Sequence, residues 1–237
     1  INLGRVDAIL NESEQVKGET FRPTERVKVY VIEVKDTPKG PRVSVSRTHP
    51  DLVKRLFESE VAEVRDGTVE IKAIAREAGS RTKIAVKSND ANVDPVGACV
   101  GLNGSRVNSI VSELKGEKID IINWDDNPAY LIENALSPAK VICVVADEEE
   151  REAQVIVPDY QLSLAIGKEG QNARLAARLT GFKIDIKSET QAREMGLFEQ
   201  MGLQYGDTSS ENYEEEQEEP ESYQEYEENY QEDGSEQ

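Results

Sequence analysis

The first 48 residues alternate apolar and polar side chains in short runs. These runs lie at residues 3–10, 27–34 and 42–46, and Thr37-Pro38-Lys39-Gly40-Pro41 stands between the last two. A period of two is typical of strands with one buried face, and a stretch rich in Pro and Gly is typical of a turn. The pattern therefore predicts a β segment of three strands.

After Thr48 the spacing of apolar residues becomes helical. Pro50 stands in a first helical turn, and apolar side chains recur on one face up to about residue 60, at Leu52, Val53, Leu56 and Phe57. The elements that follow are predicted as strands at 68–75 and 83–87 with a turn at 77–80, helices at 94–100 and 105–114, and a strand at 118–124. The segment 49–125 is thus one αββααβ unit.

The next segment, 126–190, repeats this order. Its predicted elements are a helix at 127–135, strands at 139–145 and 153–157, helices at 159–166 and 172–179, and a strand at 182–187. Each copy has a Gly-x-x-Gly turn between its last two helices and a Lys-Ile-Asp-Ile strand after them. The first glycine of the turn precedes the lysine by 17 residues in one copy and 16 in the other. A duplication explains the repeat.

The two ends of the chain differ from these units. Three strands are too few for a closed barrel, whereas an OB-type barrel has five, so residues 1–48 are expected to be the C-terminal part of an OB fold that begins before Ile1. Residues 191–206 could continue as a helical extension. From residue 207 to 237, Glu, Gln, Ser and Tyr predominate and aliphatic residues are nearly absent, which predicts a disordered acidic tail. The expected fold class is α+β multidomain.

The net negative charge is concentrated at the C-terminal end of the chain, which alters what it implies about partners. A value of −19 argues against a nucleic-acid partner, because phosphate binding draws on Lys and Arg. The tail, however, holds 14 acidic and no basic residues, so residues 1–206 carry only −5. The body is nearly balanced. The tail either keeps the chain soluble or competes with a nucleic acid for the same surface.

The residue types needed for catalysis are scarce. The sequence has one histidine, His49, which is expected at a helix start, and two cysteines, Cys99 and Cys143, too far apart for a paired metal site. Without a clustered nucleophile, base or metal ligand, we expect neither an enzyme nor a cofactor. Apolar runs are too short for a membrane span. We expect a monomeric cytoplasmic protein, of which this chain is a piece.

The two Gly-x-x-Gly turns gain weight from their setting. With 16 glycines in 237 residues, about one such pair is expected by chance, so the bare motif is weak evidence. Both pairs nevertheless lie between predicted helices, where bare backbone N–H groups at the start of the next helix can approach a phosphate. An αββααβ unit with this loop resembles the type II KH domain, which binds single-stranded nucleic acid.

Three longer strings are similar to the NusA family of bacterial transcription factors. They are Asp-Pro-Val-Gly-Ala-Cys-Val-Gly at 94–101, Gly-Glu-Lys-Ile-Asp-Ile at 116–121 and Pro-Asp-Tyr-Gln-Leu-Ser-Leu-Ala-Ile-Gly-Lys-Glu-Gly-Gln-Asn-Ala-Arg-Leu-Ala at 158–176. The resemblance covers residues 1 to about 190. It implies a factor for pausing, termination and antitermination, in which an OB fold and two KH domains form one continuous surface for nascent single-stranded RNA. It also implies RNA polymerase and other elongation or antitermination factors as partners, and a polymerase-binding domain that this sequence lacks.

One alternative stays open. The chain could be the RNA-binding portion of an enzyme with a KH domain, such as an exoribonuclease or an Era-like GTPase, whose catalytic domain precedes residue 1. Such enzymes normally carry one KH domain, so the tandem pair argues against this alternative.

Carried over by position, the resemblance assigns RNA binding to both loops and to the helix starts after them. These residues are Gly101, Leu102, Asn103, Gly104, Ser105, Arg106, Gly167, Lys168, Glu169, Gly170, Gln171 and Asn172. The nearest helix cations are Arg106, Arg174 and Arg178, which either contact RNA or lie on a solvated surface. In the OB segment, aromatic and basic side chains suited to stacking bases and holding phosphates are Phe21, Arg22, Arg42 and Arg47. Tyr30 belongs to the same mixture of aromatic and basic side chains, and a core position is as compatible with Phe21 and Tyr30 as RNA binding is.

The charges of the loops predict weak binding at each one. Glu169 would repel a phosphate, and the first loop contains no Lys or Arg. We therefore expect affinity to come from two linked sites whose effective concentration for each other is high.

Overall fold

Three separate three-stranded sheets organise the part of the chain that the structure describes. That part comprises residues 1–38 and 40–200 of a computed structural model, and its side chains are described up to residue 198. Residues Ile1–Leu197 form one compact body that contains both αββααβ units. The predicted disordered tail and the predicted helix beyond residue 200 lie outside the described residues. Within them, no helix is long and apolar enough to cross a membrane.

The N-terminal sheet confirms the predicted β segment, but the bounds of its three strands differ from the predicted ones. It consists of β1 (Ala8–Leu10), β2 (Tyr30–Thr37) and β3 (Gly40–Ser46) in the order β1-β3-β2. β1 runs parallel to β3, and β2 runs antiparallel to it. The strand predicted over 3–10 is shorter because Gly4 has φ +95° and the Leu3 N–H donates to the Val6 carbonyl, so the chain turns there.

The first αββααβ unit has the predicted order and one additional short helix. Its elements are α1 (Pro50–Glu60), α2 (Ala62–Arg65), β4 (Val69–Glu77), β5 (Arg81–Ser88), α3 (Pro95–Val100), α4 (Ser105–Glu113) and β6 (Lys118–Asn123). β5 is the central strand, antiparallel to β4 and parallel to β6. His49 Nδ1 caps α1 by accepting from the Asp51 N–H, which confirms its place at a helix start. Asp94 caps α3 in the same way.

The second unit repeats the pairing of the first. It contains α5 (Pro128–Ala135), β7 (Cys143–Asp147), β8 (Glu152–Val157), α6 (Leu162–Ile166), α7 (Gln171–Thr180) and β9 (Lys183–Ser188), with β8 in the centre. The strand predicted over 139–145 begins later, because the Ala139 N–H donates to the Leu136 carbonyl and the chain is still turning. The helix predicted over 159–166 divides into a 3₁₀ turn, Asp159–Gln161, and α6.

Two short helices follow β9 where a helical extension was predicted. They are α8 (Glu189–Glu194) and α9 (Leu197–Gln200). Ser188 and Gln191 form a capping box at the start of α8, each side chain accepting from the other's backbone N–H. Glycine at position 196, with φ +65°, lies between the two helices.

The central strand β5 is buried on both faces. Ile84 and Val86 pack with α1 and α4 of their own unit. The alternate residue Ala85 lies in a second cluster with Leu131 of α5 and Leu175 of α7. Lys83 shares that face, fully buried, and its Nζ donates to Asp120 Oδ2 at 2.9 Å and to the Ser137 carbonyl at 2.8 Å. The second unit therefore covers one face of the first unit's sheet.

The corresponding face of the second sheet has an exposed polar pair next to the fully buried Ile156. Asp120 pairs with Lys83 across the strands of the first sheet, and Asp185 pairs with Gln154 at the matching position of the second. Both Gln154 and Asp185 are exposed. The two units therefore share a fold but differ in what this face can contact.

We expect Ala85→Leu to destabilise the chain, because the side chain would enlarge at a fully buried position between two packed units. Overpacking of this kind costs about 1–3 kcal/mol in the free energy of unfolding. The matched control is Ala62→Leu, at an exposed position at the start of α2, where a change within about 0.5 kcal/mol is expected. Urea unfolding of the three proteins measures both values. Equal stability of the two variants would contradict the packing described for β5.

Candidate nucleic-acid interface

The two Gly-x-x-Gly loops have the same backbone conformation. Gly101 and Gly167 have φ/ψ of 77°/172° and 76°/170°. The third residues, Asn103 and Glu169, lie in the left-handed region at φ 51° and 54°, and the last glycines follow at φ 72° and 74°. An agreement this close at three of the four positions means that the duplicated segment builds one loop twice. Its shape does not depend on the side chains between the glycines, which differ.

The first glycine of each loop is required by a close approach. A Cβ at Gly101 would lie 2.7 Å from Arg106 Cγ, and a Cβ at Gly167 would lie 2.8 Å from the Asn172 backbone nitrogen. Gly104 and Gly170 have more space but hold positive φ angles, which side chains disfavour. The loops therefore bring bare backbone to the beginning of α4 and α7.

The helices that follow the loops begin without a side-chain cap. Gly104 and Gly170 are the N-cap residues of α4 and α7, and in the described part of the chain neither helix start has a side-chain cap, although the Ser105 and Gln171 N–H groups donate to the Leu102 and Lys168 carbonyls. By contrast, α3 and α5 are capped by Asp94 and Asn127. The N–H groups of a first helical turn carry partial positive charge and favour an anion. An uncapped start behind a glycine loop is therefore suited to a phosphate.

The side chains at the tips of the loops point into solvent. Leu102 is 85% exposed, and Asn103, Lys168 and Glu169 are exposed as well. Ser105 is exposed after the first loop, whereas Gln171 is partly buried after the second. Lys168 is the one basic residue within either four-residue loop. The positive potential at these sites therefore comes mainly from the backbone.

Arg106 and Asn172 occupy equivalent positions and hold the loops from behind. Arg106 Nη1 donates to the Ala98 carbonyl at 2.6 Å and to Glu63 Oε2 at 3.0 Å. Asn172 Nδ2 donates to the carbonyls of Leu136, Leu164 and Ala165 at 2.9–3.4 Å. Asn172 is only 4% exposed, so its side chain supports the loop and is not a surface contact. Arg106 is half-buried and already paired.

Arg174 and Arg178 contact the first unit across the interface. Arg174 Nε and Nη2 donate to the two oxygens of Glu77, at 2.6 and 3.1 Å, and Arg178 Nη1 lies 3.4 Å from Glu77 Oε1. Gln171 Nε2 donates to Glu77 Oε2 at 2.9 Å and to Ser80 Oγ at 2.8 Å. We call this set, Glu77 with Gln171, Arg174 and Arg178, the Glu77 cluster. Arg174 and Arg178, which the sequence suggested as RNA contacts, are thus ion-paired with Glu77.

The Glu77 cluster also reaches the second loop. Arg174 Nη1 donates to the Glu169 carbonyl at 3.0 Å, so one guanidinium joins the Glu77 carboxylate to the loop backbone. The hydrogen bond from Arg174 is the largest of the effects that lower the pKa of Glu77 from 4.5 to about 2. Glu77 therefore remains ionised in the folded chain well below neutral pH.

Arg47 lies inside the junction between the N-terminal sheet and the first unit. Its side chain is fully buried and forms an ion pair with Glu19. The guanidinium also donates to the carbonyls of Lys28, at 2.8 Å, and Glu113, at 3.0 Å. Although Arg47 was predicted as an RNA contact, this geometry gives it the role of joining β3 to the end of α4.

The other predicted residues of the N-terminal segment divide into surface and core. Arg22 and Arg42 are exposed. Phe21 is partly buried, with its ring 5.9 Å from the Arg47 guanidinium carbon. Tyr30 stacks on His49 with ring centroids 4.5 Å apart, and its hydroxyl donates to Asp51 Oδ2 at 3.1 Å. Arg22 and Arg42 are thus the two basic residues of the predicted set that the structure leaves on this surface.

Sequence reasoning did not find Glu77. It is the last residue of β4 and the first of the turn that the sequence predicted, and nothing local marks an acidic residue there as an interface contact. Its partners follow 94 to 101 positions later. The described residues contain no cluster of three His, Cys, Asp or Glu that could hold a metal ion. Burial raises the pKa of Cys99 to about 12, which keeps this thiol protonated.

Comparison with known proteins matches both units in order. A NusA-like first KH domain matches residues 47–124, and a NusA-like second KH domain matches residues 128–194, together more than half of the chain. The transcription termination/antitermination protein NusA of Bacillus subtilis is 61% identical over 198 residues, which is 84% of this chain and 53% of that protein.

Two further relatives carry the same name. The protein of Mycobacterium tuberculosis is 56% identical over 184 residues, 77% of this chain and 53% of its own length. The protein of Thermus thermophilus is 49% identical over 187 residues, 79% of this chain and 48% of its own length. The chain spans about half the length of these relatives. Their names describe regulatory factors, not an exoribonuclease or a GTPase.

We expect Glu77→Gln to change how stability depends on pH. Above pH 4.5 the carboxylate is ionised in both the folded and the unfolded chain, and its hydrogen bonds stabilise the fold. Below that value the unfolded chain binds the proton first, so this contribution falls and is lost as the pH passes through about 2. The variant should be less stable than the wild type near neutral pH, and the difference should shrink as the pH falls below 4.5. Urea unfolding across this range measures it; a difference independent of pH would contradict the ion pair.

Proposed function

Because the chain belongs to the NusA family of transcription termination/antitermination proteins, we propose that it is the RNA-binding part of an elongation factor that acts in pausing, termination and antitermination. The single observation that carries this proposal is the duplicated glycine loop in front of an uncapped helix start. Each loop would hold a phosphate of nascent single-stranded RNA through backbone N–H groups. In KH domains the adjoining groove takes roughly four nucleotides.

The proposed contact surface runs over both loops and continues on the N-terminal sheet. Its residues are Gly101, Leu102, Asn103, Gly104, Ser105, Gly167, Lys168, Glu169, Gly170 and Gln171, with Arg22, Arg42 and Phe21 of the OB segment. Arg106, Asn172 and Arg47 support this surface from inside, and Arg174 and Arg178 border it. Since the second unit packs on the sheet of the first, an RNA bound to one loop would meet the other at a high effective concentration.

The remaining parts of the proposal concern the whole protein. We propose RNA polymerase and other elongation or antitermination factors as its partners, a monomeric state, a cytoplasmic location and no enzymatic activity. These follow from the family and from the scarcity of catalytic groups. A KH-containing enzyme is the less favoured alternative, because two KH domains in tandem match the chain.

We expect Gly104→Asp and Gly170→Asp each to weaken binding of single-stranded RNA. Each change places a negative charge where a phosphate would lie and a side chain at positive φ. A loss of about tenfold, ~1.4 kcal/mol, is expected, measured by fluorescence anisotropy with a labelled oligonucleotide of mixed sequence.

The matched controls for these variants are Gly116→Asp and Gly181→Asp. Both glycines hold positive φ angles with open space around the missing Cβ, and they follow the far ends of α4 and α7. The controls carry the same strain and charge away from the loops, so their affinity should stay close to that of the wild type. Unchanged affinity of both loop variants, with a wild type that binds, would overturn the assignment of the loops.

Lys168→Ala should reduce the salt dependence of binding. Lys168 is exposed in the second loop, and each phosphate neutralised on a single strand contributes about 0.7 to the slope of log K against log salt. We expect the slope to fall by about 0.7. Lys54→Ala, at an exposed position of α1, is the control and should leave the slope unchanged. An unaltered slope for Lys168→Ala would show that Lys168 does not contact a phosphate.

A further inference from the structure

We propose that Glu77 of the first unit is a positioning residue for the RNA-binding loop of the second unit. This inference deepens the proposed function and rests on it. Glu77 meets the proposed RNA path directly only at Gln171, whose Nε2 donates to Glu77 Oε2 at 2.9 Å. It would act through Arg174, whose guanidinium donates both to the Glu77 carboxylate and to the Glu169 carbonyl inside the loop.

The first step of the argument is that Arg174 holds the one residue of the second loop that is in the left-handed region without being a glycine. Glu169 adopts φ 54°, a conformation that residues other than glycine disfavour. Its carbonyl is held by Arg174 at 3.0 Å. The N–H of the same peptide, that of Gly170, donates to the Gly167 carbonyl at 3.1 Å, so the bond from Arg174 fixes the other side of a peptide that closes the loop.

The second step is that Arg174 cannot orient itself. It is 42% exposed in its side chain, and an arginine on a solvated helix face has several accessible rotamers. Two parallel hydrogen bonds to Glu77 fix the plane of the guanidinium. Glu77 in turn lies on the β4–β5 hairpin, and its side chain is only 20% exposed. The rigid sheet of the first unit thus sets the orientation of a side chain in the second.

The third step is the contrast with the first loop. The position equivalent to Arg174, four residues after the last glycine, is Asn108. Its amide lies close to Gly104 and is exposed. Asn108 is too short to span from an acidic residue on another unit to a loop carbonyl. Support from the neighbouring unit is therefore a property of the second loop, and the first loop can serve as an internal control.

The test compares RNA affinity of the 237-residue chain carrying Glu77→Gln in three backgrounds: wild type, Gly104→Asp and Gly170→Asp. The matched control is Glu70→Gln, at an exposed position of the same strand. The probe is a labelled single-stranded RNA of mixed sequence. We expect Glu77→Gln to weaken binding about fivefold in the wild-type and Gly104→Asp backgrounds, and to add no loss in Gly170→Asp, because two changes in one coupled unit are not additive.

The backgrounds separate positioning from a general loosening of the interface. If Glu77 merely stabilised the packing of the two units, Glu77→Gln would weaken binding in every background, and this result would overturn the proposal. Tighter binding by Glu77→Gln would also overturn it, since the carboxylate would then compete with phosphate for Arg174. Unchanged binding by Glu77→Gln, in a chain whose Gly170→Asp variant binds more weakly than the wild type, defeats this inference and leaves the proposed function intact.

A second variant covers the case in which Glu77→Gln does not fold. Arg174→Lys keeps the positive charge and the helix, but an ammonium group lacks the planar fork that reaches both acceptors. We expect it to reproduce the loss of affinity in a chain that remains folded. Amide NMR shifts of residues 167–170, compared with those of 101–104, give a readout without RNA: the shifts should move in the second loop only. Movement in neither loop would overturn the proposal.

Discussion

The burial of strand β5 on both of its faces is the constraint on which the arrangement of the two units depends. A strand covered on one side alternates apolar and polar residues, whereas residues Thr82 to Val86 are buried without interruption. The face toward α5 and α7 carries alanines, so the helices of the second unit come close. It also carries Lys83, whose charge is balanced by Asp120 and whose remaining donors reach the Ser137 carbonyl. The two units are therefore held together here by apolar packing and by the buried hydrogen bond from Lys83 to the Ser137 carbonyl.

The two loops reach one geometry through different supports. Arg106 holds the first loop through Glu63 of its own unit, and Asn172 holds the second through carbonyl groups. Among the hydrogen bonds of the described residues, those of Arg174 also tie the second loop to the neighbouring unit. A duplicated backbone has thus kept its shape while the side chains behind it diverged. The glycines are common to both because their positions are set by steric limits that no partner can relax.

Local features of this chain were readable from its sequence, and long-range pairs were not. The proline and cap residues that begin α1, α3 and α5, and the glycines of the loops, act within a few positions, so the predicted helix starts agree with the structure. The start of β7 was placed four residues too early because an apolar run does not reveal where a turn ends. Arg47 was predicted on the surface, yet Glu19 and Glu113 bury it. A charge pattern cannot say which basic residues already have partners; that depends on contacts across the fold.

The outer faces of the two sheets differ, so the two units are not equivalent in the tandem. On the first sheet this face accepts the next unit, but on the second, Gln154 and Asp185 stand exposed where Lys83 and Asp120 are covered. In repeat arrays, a terminal repeat with a polar outer face ends the stack and keeps it soluble. The second unit resembles such an end cap in its exposed pair Gln154 and Asp185, but Ile156 on the same face is fully buried and α8 contacts β8, so part of this face is covered by the chain itself. The two copies are therefore not interchangeable: reversing their order would leave an alanine-lined face and a buried lysine without cover.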